Sequence, residues 1–107
     1  MNANWKTRMA GNVPMTYLTA KAREFRSIVY ETIADFPEPL TGRLAVHLEL
    51  IPPTRHKLDI DNFCKGTIDA LMHAGVFVDD EQIDKLIVER RHVEAPGCCD
   101  VTITELP

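Results

Sequence analysis

The sequence predicts a small mixed α/β domain, α+β in layout, with two helices packed on a mixed sheet. Three observations carry that reading. The 107 residues, 45% of them hydrophobic, suffice for one modest core and not for two, so residues 1–107 are read as a single domain. Apolar residues recur every three or four positions in two stretches and every second position in others. Prolines and glycines fall between those stretches.

In chain order, Met1 to Leu18 reads as irregular, broken by Gly11 and Pro14. Thr19 caps a helix whose apolar positions are Ala22, Phe25, Val29, Ile33 and Phe36, and Pro37 and Pro39 stop it. Leu44, Val46, Leu48 and Leu50 alternate with Ala45, His47, Glu49 and Ile51, the period of a strand, before Pro52 and Pro53 end it. Asp61 is the expected N-cap of a second helix and Gly75 its stop, with Cys64, Ile68, Leu71 and Met72 as the buried stripe. Gly75 to Val78 reads as a short strand. Leu86 to Val93 and Cys99 to Leu106 read as a hairpin joined through Pro96 and Gly97.

Composition bounds the function. No apolar run approaches the roughly 18 residues of a membrane span, and the start lacks the charged-then-apolar pattern of a secretory signal. Three cysteines, an odd number without CxxC spacing, argue against a disulfide framework or a zinc site, and Cys98 and Cys99 read as reduced residues entering a strand. A cytoplasmic protein with no membrane partner is expected. The net charge of −4 is uneven: residues 1–57 carry eight Lys/Arg against five acids, and the rest four against eleven. A basic region beside a carboxylate cluster can hold a polyanion and a cation together, although solvated surface charge alone would give the same count.

The stretch KLDIDNFCKGTIDALMHAGVFVDDEQI, Lys57 to Ile83, concentrates five aspartates in an apolar framework. Asp59 and Asp61 stand two apart at the mouth of the second helix, and a strand returning from its far end brings Asp79 or Asp80 beside them. Each carboxylate pair at about 4 Å costs roughly 1 kcal/mol in bulk water and about 4 kcal/mol at an effective dielectric near 20, and a cation reverses the sign. Oxygen-only ligands select hard ions, Mg²⁺ or Mn²⁺. Lys65, one turn from Asp61, can offer positive charge to a phosphoryl oxygen. The competing structural reading has Asp61 as a cap and Asp69 paired with Lys65 at i, i+4; for Asp69 the structural role is favoured.

Spacing removes other assignments. An EF-hand counted from Asp59 would have Phe63 and Cys64 where an oxygen ligand and Gly belong. No GxxxxGK[ST] loop occurs, and His47, His56, His73 and His92 lack HExxH spacing, so each reads as a surface or satisfied histidine.

DIDNFCKGTIDAL followed by AGVFVDDEQI resembles the signature of the RusA family of Holliday-junction resolvases, roughly D-x-D-N-x-x-K-x-x-x-D-A-L, then G and D-D-x-Q. The resemblance is strong over Lys57 to Ile83 and looser at YLTAKAREFR and VTITELP. It implies a small homodimeric, Mg²⁺-dependent endodeoxyribonuclease, bacterial or phage-encoded, that nicks four-way junction DNA symmetrically in recombination and repair. By position it implies metal-binding acids at Asp59, Asp61 and Asp80 and a catalytic lysine at Lys65. Asn62, Asp69, Asp79 and Gln82 also match the motif. The family's first strand reads as shortened or missing here, which would leave a sheet edge for a second copy to cover. Where relatives often carry a basic run before the first Asp, this chain has Arg55, His56, Lys57 and the apolar Leu58, and its isoelectric point is about 5.5.

Arg23, Arg26, Arg55 and Lys57 are the candidate contacts to the DNA backbone, which position without reading sequence. Two other classes use the same residues: a metal-dependent phosphohydrolase of small nucleotides, and a junction-binding module that has lost activity.

Overall fold

A computed structural model describes residues 4–10, 38–57 and 59–107, with backbone pairing alone for 4–10. The helix predicted from Thr19, with Arg23 and Arg26 on it, lies outside the described residues, as does Leu58.

The alternation at Leu44 to Ile51 becomes strand β2 (Leu44–Ile51), in which Leu44, Val46, Leu48 and Leu50 are buried and the residues between them half-buried. From its end the chain turns into helix α1 (Ile60–His73) and then a 3₁₀ turn (Asp80–Gln82) that leads directly into β3 (Ile83–Arg90). β3 pairs with β2 in parallel, so α1 is the crossover that a parallel pair requires. β4 (Cys98–Glu105) runs antiparallel on the other side of β2. Beyond it lies β1 (Asn4–Ala10), antiparallel to β4, giving the order β1-β4-β2-β3.

Three sequence expectations change here. The first strand is present: Asn4–Ala10 pairs with β4 from Asn4 opposite Thr104 to Ala10 opposite Cys98. Met1 to Leu18 is therefore not uniformly irregular, because Lys6 and Arg8 alternate with Trp5, Thr7 and Met9, a period of two that Gly11 and Pro14 overshadowed. The final two strands are not a hairpin, since β2 lies between them; Arg91 N donates to Leu50 O (2.7 Å) and Glu94 N to Pro52 O (2.9 Å), carrying the connection around the end of β2. Gly97 closes that connection at φ +88°, where a Cβ would come within 2.9 Å of the Pro53 ring. The predicted strand at Gly75 to Val78 is one parallel bridge, Phe77 to Leu40.

The helix begins two residues earlier than expected, with Asp59 rather than Asp61 as its N-cap. It ends at Ala74, followed by Gly75 at φ +86°, the left-handed residue a helix end favours. Its buried positions are Phe63, Gly66, Thr67, Ala70 and Leu71, spaced by three and four. Cys64, Ile68 and Met72 pack half-buried beside that stripe, and Leu71 alone of the expected four lies at its centre. Phe63, Ala70 and Leu71 meet Val46, Leu48, Leu50, Cys99, Val101 and Ile103 of the sheet. The cysteines are free thiols. No described helix is long and apolar enough to cross a membrane.

Candidate active site

The outer flank of α1, the 3₁₀ turn and the start of β3 enclose a groove of about 520 Å³. Asp61, Lys65 and Asp69 line it from the helix, Asp80 from the turn, and Asp84 from the strand, over an apolar floor of Cys64, Ile68, Ile83 and Leu86. The i, i+4, i+8 spacing puts the three helical residues on one flank, and the crossover brings the turn against it.

Each acid has its own surroundings. Asp59, exposed at the N-cap, accepts from Asp61 N (2.9 Å) and Asn62 N (3.4 Å) through Oδ1, while Asn62 Nδ2 donates to its Oδ2 (3.4 Å). Asp59 thus stands beside the groove rather than in its lining, and Asn62 orients it. A carboxylate has about four lone-pair sites, so capping leaves capacity for a further ligand. Asp61 meets Lys65 Nζ at 3.4 Å, with both side chains more than half exposed.

The adjacent acids divide their roles. Asp79 caps the turn, its Oδ1 accepting from Glu81 N (3.2 Å). That amide, with the hydrogen bond from Asp80, holds the Asp79 carboxyl below its usual range. Asp80 is pushed above it, first by the hydrogen bond to Asp79, then by burial and by the charges of Asp79 and Asp69. The groove therefore contains a carboxyl that resists ionisation and would ionise more readily beside a cation.

Gln82 fixes this turn. Its buried amide accepts from Val78 N and Asp79 N and donates to Leu40 O and Gly42 O, all at 2.9 Å. Arg43 clamps the next residues, donating to Asp84 Oδ1 through Nε (3.0 Å) and Nη2 (2.5 Å), to Glu81 O through Nη2 (2.7 Å) and to the Glu81 carboxylate through Nη1 (3.1 Å). Asp84 is consequently held below the usual carboxylate range by Arg43. The sequence reading missed this pair because its members lie 41 residues apart, with no local spacing to expose them.

The acids do not all converge. Among the described residues, the one trio of metal-ligating side chains with ligand atoms within 4.8 Å of one another is His47, Glu49 and Glu89, away from the groove. His47 Nε2 contacts Glu89, and Glu49 accepts from Arg91 Nη1 at 2.8 Å, so this trio bridges β2 and β3 and draws in Arg91. The acids repel one another, and each takes a different partner: helix amides for Asp59, Lys65 for Asp61, Asp79 for Asp80. Their donor set is nonetheless entirely oxygen, which fits a hard divalent cation.

Of the candidate DNA contacts, Arg55 and Lys57 are exposed on the loop before α1, and Arg55 lines a second groove with Arg90 and Arg91. Those two arginines were not anticipated; the ERR run at the end of β3 is their only signal in the sequence.

The family model for endodeoxyribonuclease RusA matches residues 1–104. The chain belongs to the RusA family. It is 30% identical over 108 residues to the crossover junction endodeoxyribonuclease RusA of Enterobacteria phage HK97, covering 99% of this chain and 87% of that protein. The RusA proteins of Shigella sonnei and Escherichia coli, named likewise, are each 31% identical over 93 residues, covering 85% of this chain and 78% of theirs. The RusA relatives matched come from phage and enterobacteria, and the DxDN, Lys65 and DDxQ residues of this chain fall inside the family match.

Proposed function

We propose that this chain is a divalent-metal-dependent endodeoxyribonuclease that cuts four-way DNA junctions by paired nicks, working as a homodimer. The observation that carries this reading is the groove in which Asp61, Asp69 and Asp80 face Lys65, in a chain of the RusA family. Asp59, Asp61 and Asp80 would hold Mg²⁺, with Mn²⁺ as a substitute. When bound, the ion polarises the scissile phosphate and lowers the pKa of an attacking water.

The chain's own residues do the rest. Lys65 presents positive charge to the phosphoryl oxygens as negative charge builds in an in-line displacement, and Asp61 keeps it at the groove mouth. Gln82 and Asp79 hold the turn so that Asp80 faces the helix. The products are a 5′-phosphate and a 3′-hydroxyl. Arg23, Arg26, Arg55 and Lys57 contact the DNA backbone.

The homodimer no longer rests on a missing strand. It is supported by the sheet edge that β3 forms among the described residues, where Ile87 is 40% exposed, and by the need for two sites related by twofold symmetry to make paired nicks. The test compares labelled four-way junction with linear duplex and mononucleotide, with and without Mg²⁺. Metal-dependent nicking confined to the junction is expected. Equal cleavage of mononucleotides would give the phosphohydrolase reading, and tight binding without nicking the inactive binding module.

A further inference from the structure

His47, Glu49 and Glu89 lie outside the nuclease groove, and the sheet explains why they meet. Leu44, Val46, Leu48 and Leu50 of β2 turn inward against α1, so His47 and Glu49, two apart, share the opposite face. The parallel ladder sets Glu89 of β3 directly opposite Glu49. Like charges so placed destabilise a sheet unless something joins them. One ring nitrogen and two carboxylates here offer ligand atoms within 4.8 Å of one another. Tetrahedral bonds of about 2.0 to 2.1 Å put donors about 3.4 Å apart, and the Glu89 side chain, 52% exposed, has room to close that gap.

The partners these groups already have leave capacity for an ion. Arg91 Nη1 takes Glu49 Oε2 at 2.8 Å, while Glu49 Oε1 stays turned toward His47, 4.0 Å from Nδ1. A neutral imidazole leaves two carboxylates facing one guanidinium, an excess of negative charge that a cation would meet. The donor set also differs from the all-oxygen groove, because an imidazole nitrogen favours Zn²⁺ over Mg²⁺. No local spacing exposes it in the sequence, since His47 and Glu89 lie 42 residues apart.

We propose that His47, Glu49 and Glu89 form a second metal site, which binds Zn²⁺ with water in the remaining position and ties β3 to β2. Arg91 separates this reading from a plain hydrogen-bonded network. In a network, losing Arg91 only loosens the arrangement. At a metal site Arg91 competes for Glu49 and repels the ion, so its loss tightens binding.

The experiment is a Zn²⁺ titration of the whole chain against a chromophoric chelator, with excess Mg²⁺ to occupy the groove acids. One Zn²⁺ per chain is expected, in the micromolar range. His47→Gln and Glu89→Gln should each weaken binding by about tenfold or more, since even the outer partners of metal ligands are worth about tenfold to a hundredfold. Arg91→Gln should tighten it by about threefold or more. His92→Gln, whose ring lies instead 3.9 Å from Glu94, should bind as the parent does. The parent's melting temperature should rise with Zn²⁺ and that of His47→Gln far less, because an ion held only by the folded chain stabilises it. Circular dichroism confirms that each variant is folded. A parent that takes up no Zn²⁺ overturns the proposal, as does parental affinity in His47→Gln or Glu89→Gln, or weaker binding in Arg91→Gln. Binding is read without DNA, so the result is independent of the nuclease reading.

Discussion

The two grooves at opposite ends of β3 are of similar size and opposite chemistry. The acidic one is built on a regular element: Asp61, Lys65 and Asp69 hold their places through helical periodicity, and Asp80 is held by a turn that Gln82 ties to the backbone. The basic one is built from the ends of elements, a loop after β2 and the last residue of β3 onward. Chemistry at a phosphorus atom demands reacting groups placed within a fraction of an ångström, and packed elements supply that. Backbone contact to DNA needs charge within reach, and long guanidinium stems on loops supply it. The difference teaches which groove should fail through geometry and which through charge.

Lys65 offers the largest effect. If it only bridges Asp61 on an exposed helix face, Lys65→Ala costs about 0.3 to 0.5 kcal/mol of stability and leaves nicking intact. As a group that stabilises the transition state, its loss should slow single-turnover cleavage at saturating protein by about a hundredfold to a thousandfold, by analogy with removing one oxyanion donor. Lys65→Arg should regain stability without the full rate, because its planar fork reaches differently. A rate within threefold of the parent for Lys65→Ala would move this lysine to a structural role.

Next comes Gln82, which carries geometry rather than charge. Gln82→Ala removes four hydrogen bonds at a buried position and should cost about 2 to 4 kcal/mol in urea unfolding. Gln82→Glu keeps the acceptor for the Val78 and Asp79 amides but places a carboxylate against the Leu40 and Gly42 carbonyls, so it should rescue little. If both variants unfold like the parent, the turn does not depend on this residue.

The smallest effect is a pH dependence at Asp80. Its carboxyl is raised in the folded state, so the stability linked to its proton is present at low pH and lost as pH rises through the folded value. Asp80→Asn removes that loss and relieves Asp79, so the variant's melting temperature should gain on the parent's as pH climbs from the ordinary carboxylate range toward neutrality. An offset independent of pH would show that the two acids do not interact.

Much of this was legible. The alternation from Leu44 to Leu50 specified β2 and its buried face, and the spacing of Asp61, Lys65 and Asp69 specified one flank of α1. The N-cap was assigned to the wrong aspartate because both Asp59 and Asp61 suit a helix start, and only backbone geometry decides between them. Strand partners were not legible: the apolar runs after Asp80 look like a hairpin when their neighbours are unknown, and β2 separates them through pairing with residues about 40 to 60 positions away. The motif could align Asp79 and Asp80 with the family pattern but could not say which was a cap. Nor could it reveal that Gln82 works by reaching Leu40 and Gly42.

The division of labour between the grooves is tested most directly by Asp80→Asn, assayed on one preparation for junction binding in EDTA and for nicking in Mg²⁺. Asn keeps the shape and removes the charge of the groove acid that Asp79 and Asp69 crowd. The account predicts junction affinity within about threefold of the parent, since each 1.4 kcal/mol is tenfold and no phosphate contact is lost, together with abolition of nicking. Near-parental nicking by folded Asp80→Asn protein would contradict it.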